Sequence, residues 1–121
     1  MIKPIQINME RTFEAAQYIP NHKGHCRLMH GHSYRVQVNA RGLMDPKVGM
    51  LVDFGDIKNL IDRFDHTSLN DVFKMPSAEN IAFYFAAKIF RMNKNLLEVN
   101  VTVYETEHCC ATATVVSRNN N

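Results

Sequence analysis

The sequence predicts an α+β domain: a four-stranded antiparallel sheet with two helices inserted between its second and third strands. Apolar and polar residues alternate in four short stretches, two early in the chain and two late. Two stretches of helical period lie between them, and each begins at a residue suited to cap a helix. Two strand pairs with helices between them bury one sheet face under the helices.

Taken in order, Ile5, Ile7, Met9 and Phe13 alternate with Gln6, Asn8, Glu10 and Thr12, as a half-buried strand does. Tyr34, Val36, Val38 and Ala40 alternate with Arg35, Gln37, Asn39 and Arg41 in the second strand. Between them, Tyr18 to Gly31 is polar, rich in histidine and without period, which predicts a long loop of the kind that carries function or disorder. Asp45 to Gly49 is a turn. Asp53 caps a helix bearing Phe54, Ile57, Leu60, Ile61 and Phe64. Ser77 caps a second helix that runs to about Met92 with Ile81, Phe85 and Ile89 on one stripe. Ala82, Phe83, Ala86 and Phe90 make that helix apolar on more than one side, so it is expected between layers or at a subunit contact. Val99, Val101 and Val103 mark the third strand and Ala111, Ala113 and Val115 the fourth, after which Asn119 to Asn121 should fray.

At 121 residues the chain is expected to form one domain, residues 1–121. Fourteen Lys/Arg against twelve Asp/Glu leave a net charge of +2, too small for a nucleic-acid footprint, so no nucleic-acid partner is expected. No apolar stretch approaches a membrane span, and Met1-Ile2-Lys3-Pro4 does not open a secretory leader. Three cysteines without C-x-x-C spacing indicate neither a disulfide framework nor a zinc ribbon. A reducing, cytoplasmic setting is the expectation.

Four of the six histidines fall between His22 and His32. His30 and His32 enter the second strand two apart and share a face, with Gly31 between them giving room. They are either half of a zinc site or a solvated pair. Cys26, four residues before His30, is a thiol an imidazole or metal could activate, a third ligand, or inert. Asp65 and His66 adjoin at the end of the first helix, where a carboxylate can fix an imidazole's tautomer or both can simply be a polar helix end. Glu105 has the parity of Val99, Val101 and Val103, placing a carboxylate on the apolar face unless the strand has ended. A buried carboxylate there could accept the paired N–H edge of a pterin or guanine.

Several blocks resemble the signature of the 6-pyruvoyl- and 6-carboxy-tetrahydropterin synthases. They are Phe13-Glu14-Ala15-Ala16, the run from Cys26 to Val36, Val52-Asp53-Phe54, Asp65 to Asn70, Pro76 to Asn80 and Glu105-Thr106. The blocks stand in family order over nearly the whole chain, and together they are specific where none would suffice alone. The resemblance implies a T-fold, the tunnelling fold, whose members close three sheets into a barrel and stack two trimers into a homohexamer with active sites at subunit interfaces. It implies a zinc-dependent lyase acting on 7,8-dihydroneopterin triphosphate. His30 and His32 would be zinc ligands, Cys26 the proton-abstracting base, Asp65 and His66 its tuning pair from across an interface, and Glu105 the pterin anchor. The short spacing from Cys26 to His30-Gly31-His32 resembles the 6-carboxy branch of 7-deazaguanine (queuosine) biosynthesis. The alternatives are the 6-pyruvoyl branch and a pterin- or purine-binding protein with weak turnover or none.

One position departs from the family. Its first zinc ligand is the histidine after Phe-x-Ala-Ala, and here Gln17 stands there. An amide oxygen is a weak, neutral substitute for imidazole on zinc. His22 and His25, in the same loop, are the candidates to replace it.

Overall fold

A computed structural model describes residues 2–118; the expected fraying of Asn119 to Asn121 lies outside the described residues. Strands β1 (Lys3–Gln17) and β2 (His30–Met44) form a long antiparallel hairpin, paired from Lys3 with Met44 to Gln17 with His30. Helix α1 (Phe54–Asp62) follows, then a two-residue strand β3 (Thr67–Ser68) and helix α2 (Ala78–Phe90). Strands β4 (Leu96–Tyr104) and β5 (Cys110–Val116) complete a sheet ordered β3-β1-β2-β4-β5. The antiparallel four-stranded sheet and the two inserted helices are therefore those expected. What alternation missed is β3, which pairs in parallel with Ala15 and Ala16 of β1 and is too short to carry a period.

The hairpin strands also outrun their apolar alternation at both ends. Pairing continues wherever backbone partners face one another, and the polar end at Gln17 and His30 is where sequence pattern gives no guide. At the other end a bulge falls between Arg41 and Gly42. A Cβ at Gly42 would stand 2.5 Å from the Asn95 carbonyl oxygen, so only glycine allows that approach.

One sheet face is covered. Phe13, Tyr34, Val36, Val38, Val99, Val101 and Val103 point into it and are essentially inaccessible. Helix α2 lies over β4 and β5, and α1 against β1. Both expected caps form: Asp53 accepts from the Gly55 amide at 2.8 Å and Ser77 from that of Asn80 at 3.2 Å. Phe64 lies beyond the end of α1 but still packs inward, within tilted or edge-on contact of Phe13, Phe73, Tyr84 and Phe85. Phe54 and Phe83, counted in the helical apolar pattern, are instead exposed.

The opposite face is open and polar. Asn8, Asn39, Asn100 and Thr114 stand opposite one another across β1, β2, β4 and β5. Asn39 donates to Asn8, and Thr114 donates to Asn100, both at 2.5 Å. In the next row Gln37 donates to Glu10 at 2.9 Å, and Thr102 and Thr112 share a hydrogen bond at 2.7 Å. These rows floor a hollow of about 490 Å³.

Candidate active site

The site is built at the polar end of the β1–β2 hairpin. Strand parity carries the inward face past its last apolar residues: Phe13 and Ala15 lead to Gln17, and Tyr34 leads back to His32 and His30. Gln17 is directly opposite His30, and it is completely buried. The covered face of the sheet thus ends in an amide and two imidazoles instead of hydrocarbon.

Each member of this cluster has a defined role in the local bonding. The His30 Nδ1 lies 2.6 Å from the Leu28 carbonyl oxygen, which can only accept, so Nδ1 carries a proton and the neutral tautomer this contact favours leaves the lone pair on Nε2. The two imidazoles meet edge-on, with centroids 4.7 Å apart. Burial holds the His32 pKa below its usual value, with His30 adding to the effect and Glu105 opposing it. His32 is therefore a neutral ring near pH 7.

Glu105 reaches the cluster from the far side of the sheet. It follows the last residue of β4, so the strand has ended, yet its side chain stays on the inward side as parity requires. The hairpin turn behind it is fixed by its own amide, which donates to the Cys109 carbonyl at 3.0 Å. Its Oε1 accepts from the Gln17 Nε2 at 2.6 Å and lies 3.8 Å from the His32 Nε2. Among the described residues, the buried side-chain atoms without a hydrogen-bond partner are the Gln17 Oε1, the His32 Nε2 and the Tyr34 hydroxyl. All three belong to this one cluster. Tyr34 was not singled out from the sequence, although it stands two residues beyond His32 on the same face. Burial, with the nearby Glu105 charge, pushes its phenol pKa well up, so it remains a neutral hydroxyl.

Asp65 and His66 form a separate pair. His66 Nδ1 is 3.0 Å from Asp65 Oδ2, so the adjacent residues do bond to each other. The backbone makes this possible, since His66 has φ of 58° and turns its ring back on its neighbour. The other Asp65 oxygen accepts from the Glu14 amide at 2.9 Å, and that bond is the main reason its pKa lies below the usual carboxylate value. His66 and His32 line one groove of about 460 Å³ over Ala15 and Gly31. No hydrogen bond or ion pair among the described residues joins the Asp65–His66 pair to Gln17 or Glu105.

Cys26 lies half-buried in a single 3₁₀ turn, His25–Arg27. Ile19 donates to its carbonyl at 2.6 Å, which folds the loop back beside the end of β1. Its thiol makes no hydrogen bond to the cluster among the described residues. His22 and His25 are exposed, and His22 Nδ1 accepts from the Gly24 amide at 2.9 Å within the loop itself. Neither histidine enters the cluster. Correspondingly, no group of three His, Cys, Asp or Glu side chains among the described residues is placed to hold a metal ion. Two imidazoles and an amide oxygen are the donors available there.

The family model of 6-pyruvoyl tetrahydropterin synthase matches residues 6–115. The chain belongs to the 6-pyruvoyl tetrahydropterin synthase family. A provisionally named 6-carboxy-5,6,7,8-tetrahydropterin synthase of Archaeoglobus fulgidus is 34% identical over 103 residues, covering 82% of this chain and 88% of that protein. The 6-carboxy-5,6,7,8-tetrahydropterin synthase of Synechocystis is 36% identical over 94 residues, covering 69% of this chain and 73% of that protein. The structure of Caenorhabditis elegans 6-pyruvoyl tetrahydropterin synthase superimposes with a TM-score of 0.70 at 26% identity, covering 96% of this chain and 97% of that one. The T-fold of this family is thus the fold of the chain, and every element of the candidate site lies within the matched residues.

Proposed function

We propose that the protein is a 6-carboxy-5,6,7,8-tetrahydropterin synthase, a lyase of 7-deazaguanine (queuosine) biosynthesis. Its substrate is 7,8-dihydroneopterin triphosphate, from which it releases triphosphate as it cuts the side chain. The observation that carries this reading is the Glu105 carboxylate, held by the buried Gln17 amide at the end of the covered face with His32 beside it. The named relatives support the carboxy branch over the pyruvoyl one. Among the described residues no helix is long and apolar enough to cross a membrane, and we assign the enzyme to the cytoplasm.

Glu105 anchors the ring, accepting the 2-amino and N3 hydrogens as two parallel charge-assisted bonds. Cys26 is the base that takes the side-chain proton, its loop lying beside the end of β1. The Asp65 carboxylate holds the proton of His66 on Nδ1 and leaves Nε2 to exchange protons with Cys26 of a neighbouring subunit. That arrangement requires a homohexamer of two stacked trimers. Open edges support it, since β5 ends the sheet on one side and β3 shields only Ala15 and Ala16 on the other.

The donor set fits a divalent cation, though weakly. His30 and His32 present ring nitrogens, and the unpartnered Gln17 Oε1 is a third, poorer donor. Zinc held there would supply Lewis acidity to the substrate's side-chain hydroxyls. The reading is tested with Cys26→Ala, which should lose turnover while binding zinc and pterin as before. Loss of zinc in that variant would make Cys26 a ligand, and full activity would remove it from the mechanism. A second reading, a pterin binder with weak turnover, is favoured by the amide at the family's first ligand position.

A further inference from the structure

Gln17 occupies a position where its side chain has two possible employments. The amide oxygen could complete a metal shell with His30 and His32, or the amide nitrogen could serve a carboxylate. The two roles use different atoms of one amide, and among the described residues the nitrogen is the one engaged while the oxygen has no hydrogen-bond partner. The bond it makes is to Glu105: Nε2 donates to Oε1 at 2.6 Å, a charge-assisted contact spanning 88 residues of sequence. The carboxylate also decides which way the amide faces, because only the NH₂ end can approach an acceptor.

Glu105 needs such a brace. It sits beyond the end of β4, on a tight turn, and its side chain is partly exposed. The remaining neighbour of Oε1, the His32 Nε2, stands at 3.8 Å, too far for a hydrogen bond. A carboxylate that must meet two ring hydrogens in one plane loses affinity when it is free to rotate. One donor on Oε1 fixes that plane and leaves Oε2 open, and Oε1 retains a second lone pair for the ligand.

We propose that Gln17 is a positioning residue for Glu105, so that the side chain at the family's first zinc-ligand position serves ring recognition through its amide nitrogen. This rests on the role given to Glu105 above. It carries a consequence specific to this chain: metal affinity and ring affinity are traded at one residue. Replacing Gln17 by histidine adds an imidazole for the cation and removes the amide that braces the anchor.

The test uses the whole protein with two probes, pterin and lumazine, which differ at the 2-amino group that Glu105 would recognise. Binding is read by fluorescence titration, and bound zinc is measured on the same samples. In Gln17→Met, pterin affinity should fall roughly tenfold, as for loss of a hydrogen bond to a charged group. Lumazine affinity should barely move. In a Glu105→Gln background the same change should have no further effect, since the bond it removes is already altered. Gln17→His should raise zinc content and weaken pterin binding together. Gln17→Asn, which keeps the amide but shortens its reach, should repeat the pterin loss and stands in if the methionine variant fails to fold. Loss of zinc with unchanged pterin affinity in Gln17→Met or Gln17→Asn would overturn the inference, because Gln17 would then be a ligand. Pterin loss in Glu105→Gln with none in the Gln17 variants would overturn it alone. No loss in any of them would remove the anchoring role of Glu105 as well.

Discussion

The two faces of the sheet treat polar side chains in opposite ways. On the open face, Asn8, Asn39, Asn100 and Thr114 answer one another across the strands, and Gln37, Glu10, Thr102 and Thr112 repeat the pattern one row on. Water can reach these groups, and they are paired regardless. On the covered face, Gln17, His32 and Tyr34 each bury a polar atom without a hydrogen-bond partner among the described residues. A buried group left unpaired costs about 1–3 kcal/mol, so three in one cluster is an expense that stability alone does not explain. Paired polar rows hold a sheet together; the unpaired buried atoms at its covered end are free to take a bound group or an ordered water.

The comparison can be broken first at Glu105, where the largest effect is expected. Glu105→Gln keeps the shape and exchanges one acceptor for a donor, so the ring's paired N–H edge meets a mismatch. Pterin affinity should fall roughly 10–100-fold, the loss of a hydrogen bond to a charged group. Unchanged affinity would take the covered cluster out of ligand recognition. Tyr34→Phe is the next probe. It removes an unpartnered buried hydroxyl while keeping the ring that stacks on Phe13 at 4.8 Å. Denaturant unfolding of the ligand-free protein should show a gain of about 1 kcal/mol. A loss would mean that the hydroxyl is satisfied in solution and that the contrast between the faces is weaker than drawn.

Asn100→Ala sharpens the other side. It takes a bond from Thr114 and one to Glu98, so stability should drop by roughly 0.5–1.5 kcal/mol while pterin affinity stays unchanged. A change in affinity would make the open face part of the site. The smallest effect is expected at the surface. Arg11, hydrogen-bonded to Asp62 at 2.7 Å, holds that carboxyl below its usual range. A depressed carboxyl pKa stabilises the fold above the unfolded value, about 3.9, and the benefit is lost as pH falls through the folded one. Arg11→Ala should therefore be only slightly less stable than the parent above about pH 4, and the difference should shrink as pH falls below that and vanish in high salt.

Much of this was legible in the sequence because it rests on period and parity. Alternation at Ile5–Phe13 and Val99–Val103 gave strands with the right inward face, and Asp53 and Ser77 capped the helices as their types require. Parity likewise put His30 and His32 on one face and offered Glu105 the apolar one, but did not show that the three would meet in a single cluster. What parity cannot carry is distance across the sheet. The Gln17–Glu105 bond joins the ends of two strands that are not neighbours, and no local pattern announces it. β3 was hidden because two residues have no period, and the Asp65–His66 bond because it depends on the left-handed backbone of His66. Tyr34 was passed over as an ordinary strand aromatic; its position two residues past His32 was the available signal.

The central claim is that this cluster turns over a reduced pterin triphosphate, and product analysis tests it most directly. The purified protein, supplied with zinc, is incubated with 7,8-dihydroneopterin triphosphate, and the products are identified by mass. The account expects released triphosphate and 6-carboxy-5,6,7,8-tetrahydropterin, which keeps one side-chain carbon and sets free a two-carbon fragment. Given the amide at the family's first ligand position, the rate should climb with added zinc and, at saturating substrate, climb further in Gln17→His. A pyruvoyl product, with all three side-chain carbons retained, would contradict the branch assigned here. Unconsumed substrate in both the parent and Gln17→His, with pterin still bound, would contradict the enzyme itself and leave a binding protein.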